Sequence, residues 1–585
     1  MNRSMNIGAA VAAVVAGVAG MASAQCGHQL LATGDLAGGD ALAYALAMTS
    51  GNGSNTLLLG APYDDNARGG DAGAVYAFTQ SNQVWYEYAK LVPPANLPSG
   101  FFGSAVGIEG AEAVVAAQGA GRVYFFQRTG NVWGFHKEFL GSPAESFGAA
   151  AATSGTVAVV GAPFATYGEA GAGKISIYER DGSFTWFSKQ TLGQIDSHRD
   201  ANDWMGTSVA TNGTFIFAGA PKGDSGVESD CGWVMVAKKD GPQWAEEQTL
   251  FPPGVQAGQR FGSSMDVDGD WLVIGAPYAT VAGKDDAGLA YLYYFNGGYW
   301  QHVTTIQPYP VYAGATFGAS VSISGDRLVV GAKGTESAFV FRQNAFAQWD
   351  QVARFTDPDS GADAFAGAVV VDADRVVVGD ASYDAGGLTN AGAAYLYKLD
   401  PDVADTCYAA VEVSEGAFAG CTSYAVLDGS AGCGGLATAP DVYFRYVAPE
   451  SGTVSFDAFG SAFDTLLSVH TECPASSGNE IACNDDWSIF EDNAQVTVNV
   501  QQGEEYILRL SGASSERGSF VLHVGPVVPA PCDADFNDDG TLNSLDFLAF
   551  LNAWNAQDNT ADFNDDGAIN TMDVLAYLNA YTAGC

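Results

Sequence analysis

The sequence predicts a mainly β chain: a seven-bladed β-propeller, then a small β-sandwich, then a small α-helical module built on two acidic loops. Three observations predict it. From about residue 40 to 400 a unit returns with a period of roughly 42 to 59 residues, and each copy holds four short runs of strand character. After Asp405 the texture changes to short strand-like runs separated by Gly, Ser and Asp. The last 54 residues carry one acidic pattern twice, each time followed by an apolar stretch of helical period.

The first residues read as an address rather than as structure. Arg3 precedes an apolar run from Ile7 to Met21, and Ala22-Ser23-Ala24 has the small-x-small form of a cleavage site. Residues 1–24 are therefore expected to be a signal peptide, with Gln25 starting the mature chain. No later stretch reaches the roughly 18 apolar residues of a spanning helix, so no transmembrane helix is expected. The formal net charge is −42, from 66 acids and 24 bases. That balance disfavours nucleic acid and anionic membranes, which need clustered Lys and Arg. Of nine cysteines only Cys26 and Cys231 precede residue 400. The long repeat region must stand on its core, while the later modules are expected to be stapled by disulfides.

Residues 25–400 are assigned to the propeller. Its clearest unit runs from Arg260 to Pro308, with strands expected at Ser263–Val267, Trp271–Gly275, Leu289–Phe295 and Trp300–Ile306. Tight turns such as Ser324-Gly325 and Asn296-Gly297 suit antiparallel joins. A Gly-Ala-Pro turn or its remnant falls at Gly60, Gly119, Gly161, Gly219, Gly275, Gly331 and Gly379, which counts seven units. The seventh stops after its third strand, Ala393–Leu399, whereas His28-Gln29-Leu30-Leu31 matches the fourth-strand pattern Gln248-Thr249-Leu250. The N-terminus is expected to complete the last blade, since a propeller protects its edges by radial repetition. A Phe-Gly pair followed some 14 residues later by Gly-Ala-Pro resembles the FG-GAP repeat of integrin-α-type propellers. The first-to-second turns, such as Asp268-Gly269-Asp270, are too short to wrap the calcium ions that family often holds.

Spare chain collects in two of the four connections, as in Tyr63–Ala72, Pro163–Gly173, Lys222–Gly232 and Gly193–Asp203, and these emerge on one face. Tyr63, Asp64, Asp65, Phe164, Tyr278, Asp285, Asp286, Tyr383 and Asp384 lie there. Loops on a rigid scaffold suit ligand binding, although unconstrained loops would look the same. No individual ligand contact and no catalytic residue is assigned. The six histidines (28, 136, 198, 302, 470, 523) show no metal-ligand spacing, and neither HExxH nor GxSxG occurs.

Residues 405–525 are expected to form the sandwich, with strands at Val442–Val447, Val454–Ala458, Thr465–His470, Val496–Val500, Tyr506–Leu510 and Phe520–Val524. Cys473 with Cys483, and Cys421 with Cys433, are the expected disulfide partners. The segment from Asp441 to Pro474, with Ile481–Asp486, resembles bacterial pre-peptidase C-terminal domains, which implies a non-catalytic accessory module. Residues 526–531, PVVPAP, read as a semi-rigid linker.

From Cys532 to Cys585 there are ten aspartates and no Lys, Arg or Glu. Asp535, Asn537, Asp539, Thr541, Asn543 and Asp546 occupy positions 1, 3, 5, 7, 9 and 12 of a loop with Gly540 at position 6. Asp562, Asn564, Asp566, Ala568, Asn570 and Asp573 repeat the pattern, with Gly567 at the bend. This spacing gathers hard oxygen donors around one point, residue 7 offering its carbonyl, and predicts two calcium ions. Helices are expected at Leu545–Trp554 and Met572–Tyr581, and a Cys532–Cys585 bond would clasp the ends. The doubled loop with trailing helices is similar to the dockerin family, in its Cys-bracketed form from secreted bacterial proteins. It implies calcium binding and a cohesin-like or surface anchoring partner; Ser544-Leu545 and Thr571-Met572 keep half of that family's recognition pattern.

The expected function is that of a secreted, calcium-binding surface or matrix protein that binds an extracellular protein or glycan ligand and has no chemistry of its own. The alternative is a polysaccharide-degrading enzyme or enzyme-complex subunit with a catalytic propeller face.

Overall fold

The computed structural model describes residues 28–583, apart from 50–54, 82–83, 183–184, 194–199, 345–346, 358–363, 385–386, 400–406, 423–424, 426–428, 434–438, 487–492, 514–515, 528–533, 538–541 and 565. The signal peptide, Cys26 and the Cys532–Cys585 clasp lie outside the described residues.

Residues 28 to 398 form seven four-stranded antiparallel sheets, each joined in simple up-and-down order. The clearest unit has strands Ser264–Asp268, Trp271–Ala276, Leu289–Phe295 and Trp300–Ile306, within a residue of expectation. The second and third strands are almost wholly buried, which their continuous apolar runs require. First strands of successive sheets touch in turn, and the strand Phe365–Asp372 of the seventh touches Ala45–Thr49 of the first. Repeated four-stranded sheets in this order fit a β-propeller.

Three devices join the seventh sheet to the first, and the second and third recur between other neighbours. The strand His28–Leu31 pairs with Ala393–Lys398 as the seventh sheet's fourth strand, as the sequence predicts. Its Gln29 side chain donates to Trp85 O and accepts from Trp85 N at 2.9 Å. Gln190 clamps the backbone of Trp244 in the same way (2.7 and 2.9 Å), and Gln248 that of Trp300 (2.8 and 2.9 Å). Finally, Gly39 N, Ala41 N and Leu42 N donate to Thr389 O, Asn390 O and Ala391 O.

The Phe-Gly and Gly-Ala-Pro motifs meet where sheets approach most closely. Gly262 N donates to Gly275 O of its own sheet at 3.0 Å, and a Cβ on Gly275 would overlap Gly318 O of the next. Gly60, Gly161 and Gly219 face Gly103 O, Gly206 O and Gly262 O alike. The second sheet corrects the expected register: Ala116, not Gly119, pairs opposite Ala105 where other sheets have this glycine. Gly119 falls beyond the strand in a 3-10 turn, Gln118–Ala120, because here the long loop is replaced by one tight turn.

Residues 411–524 form a five-stranded and a four-stranded sheet around one apolar core containing Phe444, Phe456, Leu467, Leu508, Leu510 and Phe520. All six expected strands are present. Val411–Val413 and Gly416–Cys421 were not expected, the first being short and the second lacking β-branched residues, nor was Glu480–Asn484. The disulfides differ from expectation: Cys407 bonds Cys473, and Cys433 bonds Cys483. Cys483 lies on the strand that returns beside Thr465–His470, while Cys473 sits past that strand's end, so the hairpin carries the two sulfurs apart. Cys231 is a buried free thiol. Two helices follow, α1 (Ser544–Ala556) and α2 (Thr571–Ala583), each slightly longer than expected.

Candidate functional site

The long connections do share one face, and the hydrogen bonds show why. The segment leading into each first strand pairs with the loop between the second and third strands of the preceding sheet. Gly258 N, Arg260 N and Phe261 N donate to Ser229 O, Asp230 O and Cys231 O; Gly314, Thr316 and Phe317 do the same to Asp285, Asp286 and Ala287.

Several of the acids named from sequence turn out to hold loops rather than to face ligand. Asp65 accepts from Asp71 N at 2.7 Å and Asp384 from Asn390 N at 2.8 Å, each closing a loop to the residue six positions on, and Asp224, not named from sequence, does the same with Asp230 N at 2.8 Å. Asp64 is buried, bonded to Tyr76 Oη at 2.7 Å and Lys90 Nζ at 2.9 Å. Asp285 accepts from Thr280 Oγ1 at 3.3 Å.

What the face presents instead is a rim of aromatic and cationic side chains. The residue before each Phe-Gly motif has a left-handed backbone, with φ of 55° at Phe101, 62° at Trp204, 56° at Arg260 and 54° at Thr316. Non-glycine residues hold that conformation at a cost of order 1 kcal/mol, and only when their surroundings impose it. Here the lead-in ladder imposes it and turns these side chains onto the rim. They meet the residue that follows Gly-Ala-Pro: Phe101 lies 5.2 Å from Tyr63, Trp204 5.4 Å from Phe164, and the Arg260 guanidinium 4.4 Å from the Tyr278 ring centre. Lys222 Nζ sits 4.4 Å from the Trp204 ring centre. Tyr63, Phe164 and Tyr278 remain 38, 48 and 38% exposed. Trp204, Lys222 and Arg260 were not singled out from sequence. Their signal was positional, next to each motif rather than in it.

Behind the rim Asp380 is fully buried, and its Oδ2 has no hydrogen-bond partner among the described residues. Burial, reinforced by Asp357 and Glu336, pushes its carboxyl up to about 6. A carboxyl raised above its unfolded value, about 3.9, stabilises the fold fully below that value and loses this contribution as pH rises through about 6. Asp380→Asn should therefore raise stability by about 1–2 kcal/mol at pH 8 and leave it unchanged at pH 4. Thermal melts across that range read the difference, and equal shifts at both ends would refute the charge argument.

The two acidic loops repeat in geometry as in sequence. Asp546 accepts from Asn537 N at 3.3 Å and Asn543 N at 2.7 Å; Asp573 accepts from Asn564 N and Asn570 N at the same two distances. Both carboxylates are fully buried, and the Asn543 and Asn570 backbone N–H groups respectively hold them below the ordinary carboxylate range. Asn543 also caps α1 by accepting from Leu545 N, and Asn570 accepts from Met572 N, both at 2.8 Å. Asp562 accepts from Asp566 N at 3.1 Å and Gly567 N at 2.8 Å, and Ala568 O accepts from Asn570 Nδ2 at 2.7 Å. Asp535 is described, whereas Asp539 and Thr541 lie outside the described residues. Among the described residues no three His, Cys, Asp or Glu side chains converge as a metal cluster. The donor set of carboxylate, amide and carbonyl oxygens suits a hard cation. The loops are tied crosswise: Trp554 Nε1 of α1 donates to Asn570 O, and Tyr577 Oη of α2 donates to Ala534 O, both at 2.8 Å.

The FG-GAP repeat family matches residues 244–293 and 300–341, which fall across the fourth to sixth sheets. No curated protein matches the chain. Among solved structures it is similar to virginiamycin B lyase from Staphylococcus aureus, with TM-score 0.39 and 9% identity over 64% of this chain and 98% of that one. It is also similar to a Lactobacillus plantarum protein (TM-score 0.34, 11% identity, 54% and 84% covered) and a putative 6-phosphogluconolactonase from Bacteroides uniformis (TM-score 0.35, 12%, 53% and 83%). These likenesses assign no activity to the chain. FG-GAP repeats and two disulfides are compatible with an extracellular or surface protein, and no described helix is long and apolar enough to cross a membrane.

Proposed function

We propose that this is a secreted or cell-surface binding protein whose seven-bladed propeller engages an extracellular glycan or protein through the rim of its long-loop face. The carrying observation is the set of half-exposed rings Tyr63, Phe164 and Tyr278, each packed against a side chain held at a left-handed backbone position on that rim. Rings with one open face offer stacking area at little entropic cost. The sandwich is read as a pre-peptidase C-terminal-like accessory domain.

The C-terminal pair of loops is read as a dockerin-like anchor. Asp535, Asn537, Asp539, Thr541, Asn543 and Asp546 would hold one calcium ion, and Asp562, Asn564, Asp566, Ala568, Asn570 and Asp573 the other. Bound calcium supplies positive charge that offsets the clustered aspartates. Support for an anchoring partner comes from Leu545, Leu548, Met572 and Leu575, which are 52–58% exposed and occupy matching positions on the two helices. A repeated apolar surface of this kind marks an interaction site.

Arrays of glycans and extracellular proteins, probed with the full chain, test the ligand reading. Tyr63→Ala combined with Phe164→Ala should weaken array binding by about tenfold or more while leaving the melting temperature within a few degrees. Absence of any binding by the native chain, or release of sugar from polysaccharide substrates, would favour the enzymatic alternative.

A further inference from the structure

On the same face, residues of the fourth, fifth and sixth sheets line an open cavity of about 470 Å³. Its wall carries Lys222, Arg260 and Lys333 and not one Asp or Glu, in a chain with 66 acids and 24 bases. The sign of its charge is thus opposite to that of the molecule around it. Trp204 and Tyr278 supply its aromatic walls. The only ion pair made by these three cations among the described residues is a long one, Lys222 to Asp230 at 3.9 Å. Arg260 is set by the ladder that holds its backbone, N–H to Asp230 O at 3.2 Å, and by its contact with Tyr278, so its guanidinium is positioned before any ligand arrives.

We infer that this cavity binds the anionic group of an acidic polysaccharide. Arg260 and Lys333 grip one carboxylate or sulfate, Lys222 adds charge, and the sugar ring packs against Trp204 and Tyr278. Arg presents a planar fork that matches either anion. A polysaccharide fits better than an acidic peptide because the local backbone is already committed. Gly258, Arg260, Gly314 and Thr316 donate their N–H groups to the neighbouring loops, leaving no lead-in edge on which a peptide strand could pair. The net charge of −42 does not oppose this, since at roughly 0.15 M salt charges beyond about 8 Å are largely screened, and the three cations outweigh Asp230, the acid 3.9 Å from Lys222.

The inference rests on the ligand-face reading, and its test separates the two. The full chain is titrated in a calorimeter with oligogalacturonate, with the same oligosaccharide methyl-esterified, with sulfated dextran oligosaccharides and with polyglutamate. At least one anionic sugar should bind about tenfold or more tighter than the esterified form; which one does so identifies the anion. Arg260→Gln with Lys333→Gln should abolish that preference, with an unchanged melting temperature showing that the fold is intact. Lys333→Gln alone, at an exposed position, should give part of the loss. Equal binding of the esterified form, full affinity in the double variant, no anionic sugar bound, or polyglutamate bound as tightly as any sugar would each overturn the proposal. Neutral-glycan binding that is lost in the Tyr63 and Phe164 variant would leave the ligand face standing without it.

Discussion

Gly275→Ala is expected to destabilise the chain by about 3 kcal/mol or more, the range of severe overpacking in a closed core. The added Cβ would overlap Gly318 O, which is backbone of the next sheet and already accepts from Ser264 Oγ at 2.7 Å. A flexible side chain could move aside; a carbonyl fixed between two ladders cannot. Because the first strands touch in succession, a displacement at one junction is passed to its neighbours. Gly298→Ala is the control. Its nearest atom is Asn296 Oδ1 at 3.5 Å, so it should change stability by no more than about 0.5 kcal/mol. Urea unfolding of both variants measures the contrast, and similar midpoints would show that the close approach is not what limits the sheet spacing.

Chelating calcium is expected to unfold the segment from Ala534 to Ala583 while the sheets survive. Ten aspartates with no basic residue lie between Cys532 and Cys585, and among the described residues only Phe550, Ala561 and Tyr577 are fully buried hydrophobics at its centre. So small a core does not offset that repulsion unaided. Hydrogen exchange should show amide protection across α1 and α2 falling by about a hundredfold or more in EDTA. The crosswise ties add a second expectation. Trp554 reaches the second loop and Tyr577 the first, so Asp562→Ala should also weaken calcium binding at the intact loop, by about tenfold. Unchanged protection in EDTA would remove the basis for a calcium-dependent anchor.

The agreement with sequence is closest where the signal is local and repeated. The strand at His28–Leu31 is found where a missing fourth strand predicts it, and Gln29 makes the same clamp as Gln190 and Gln248. The two loops ending at Asp546 and Asp573 share bond lengths as they share spacing. Disagreement begins where distant segments choose partners. Cys473 and Cys483 look paired in the sequence, yet the hairpin sends them to Cys407 and Cys433. Asp65 and Asp384 lie on the long-loop face in the sequence, yet each closes its own loop. Arg260, beside a motif in a chain dominated by acids, reads as an ordinary surface charge until Lys222 and Lys333 are brought near it.

By itself, then, the sequence determined the strand repeat, the borrowed closing strand and the doubled acidic loop. Each depends on residue type at short, regular spacing, which the backbone translates directly into strands, turns and helix caps. Only the tertiary structure decided which charges are spent on loops and which line a cavity. Lys222, Arg260 and Lys333 come from three successive sheets, so their meeting depends on how those sheets pack rather than on any one repeat.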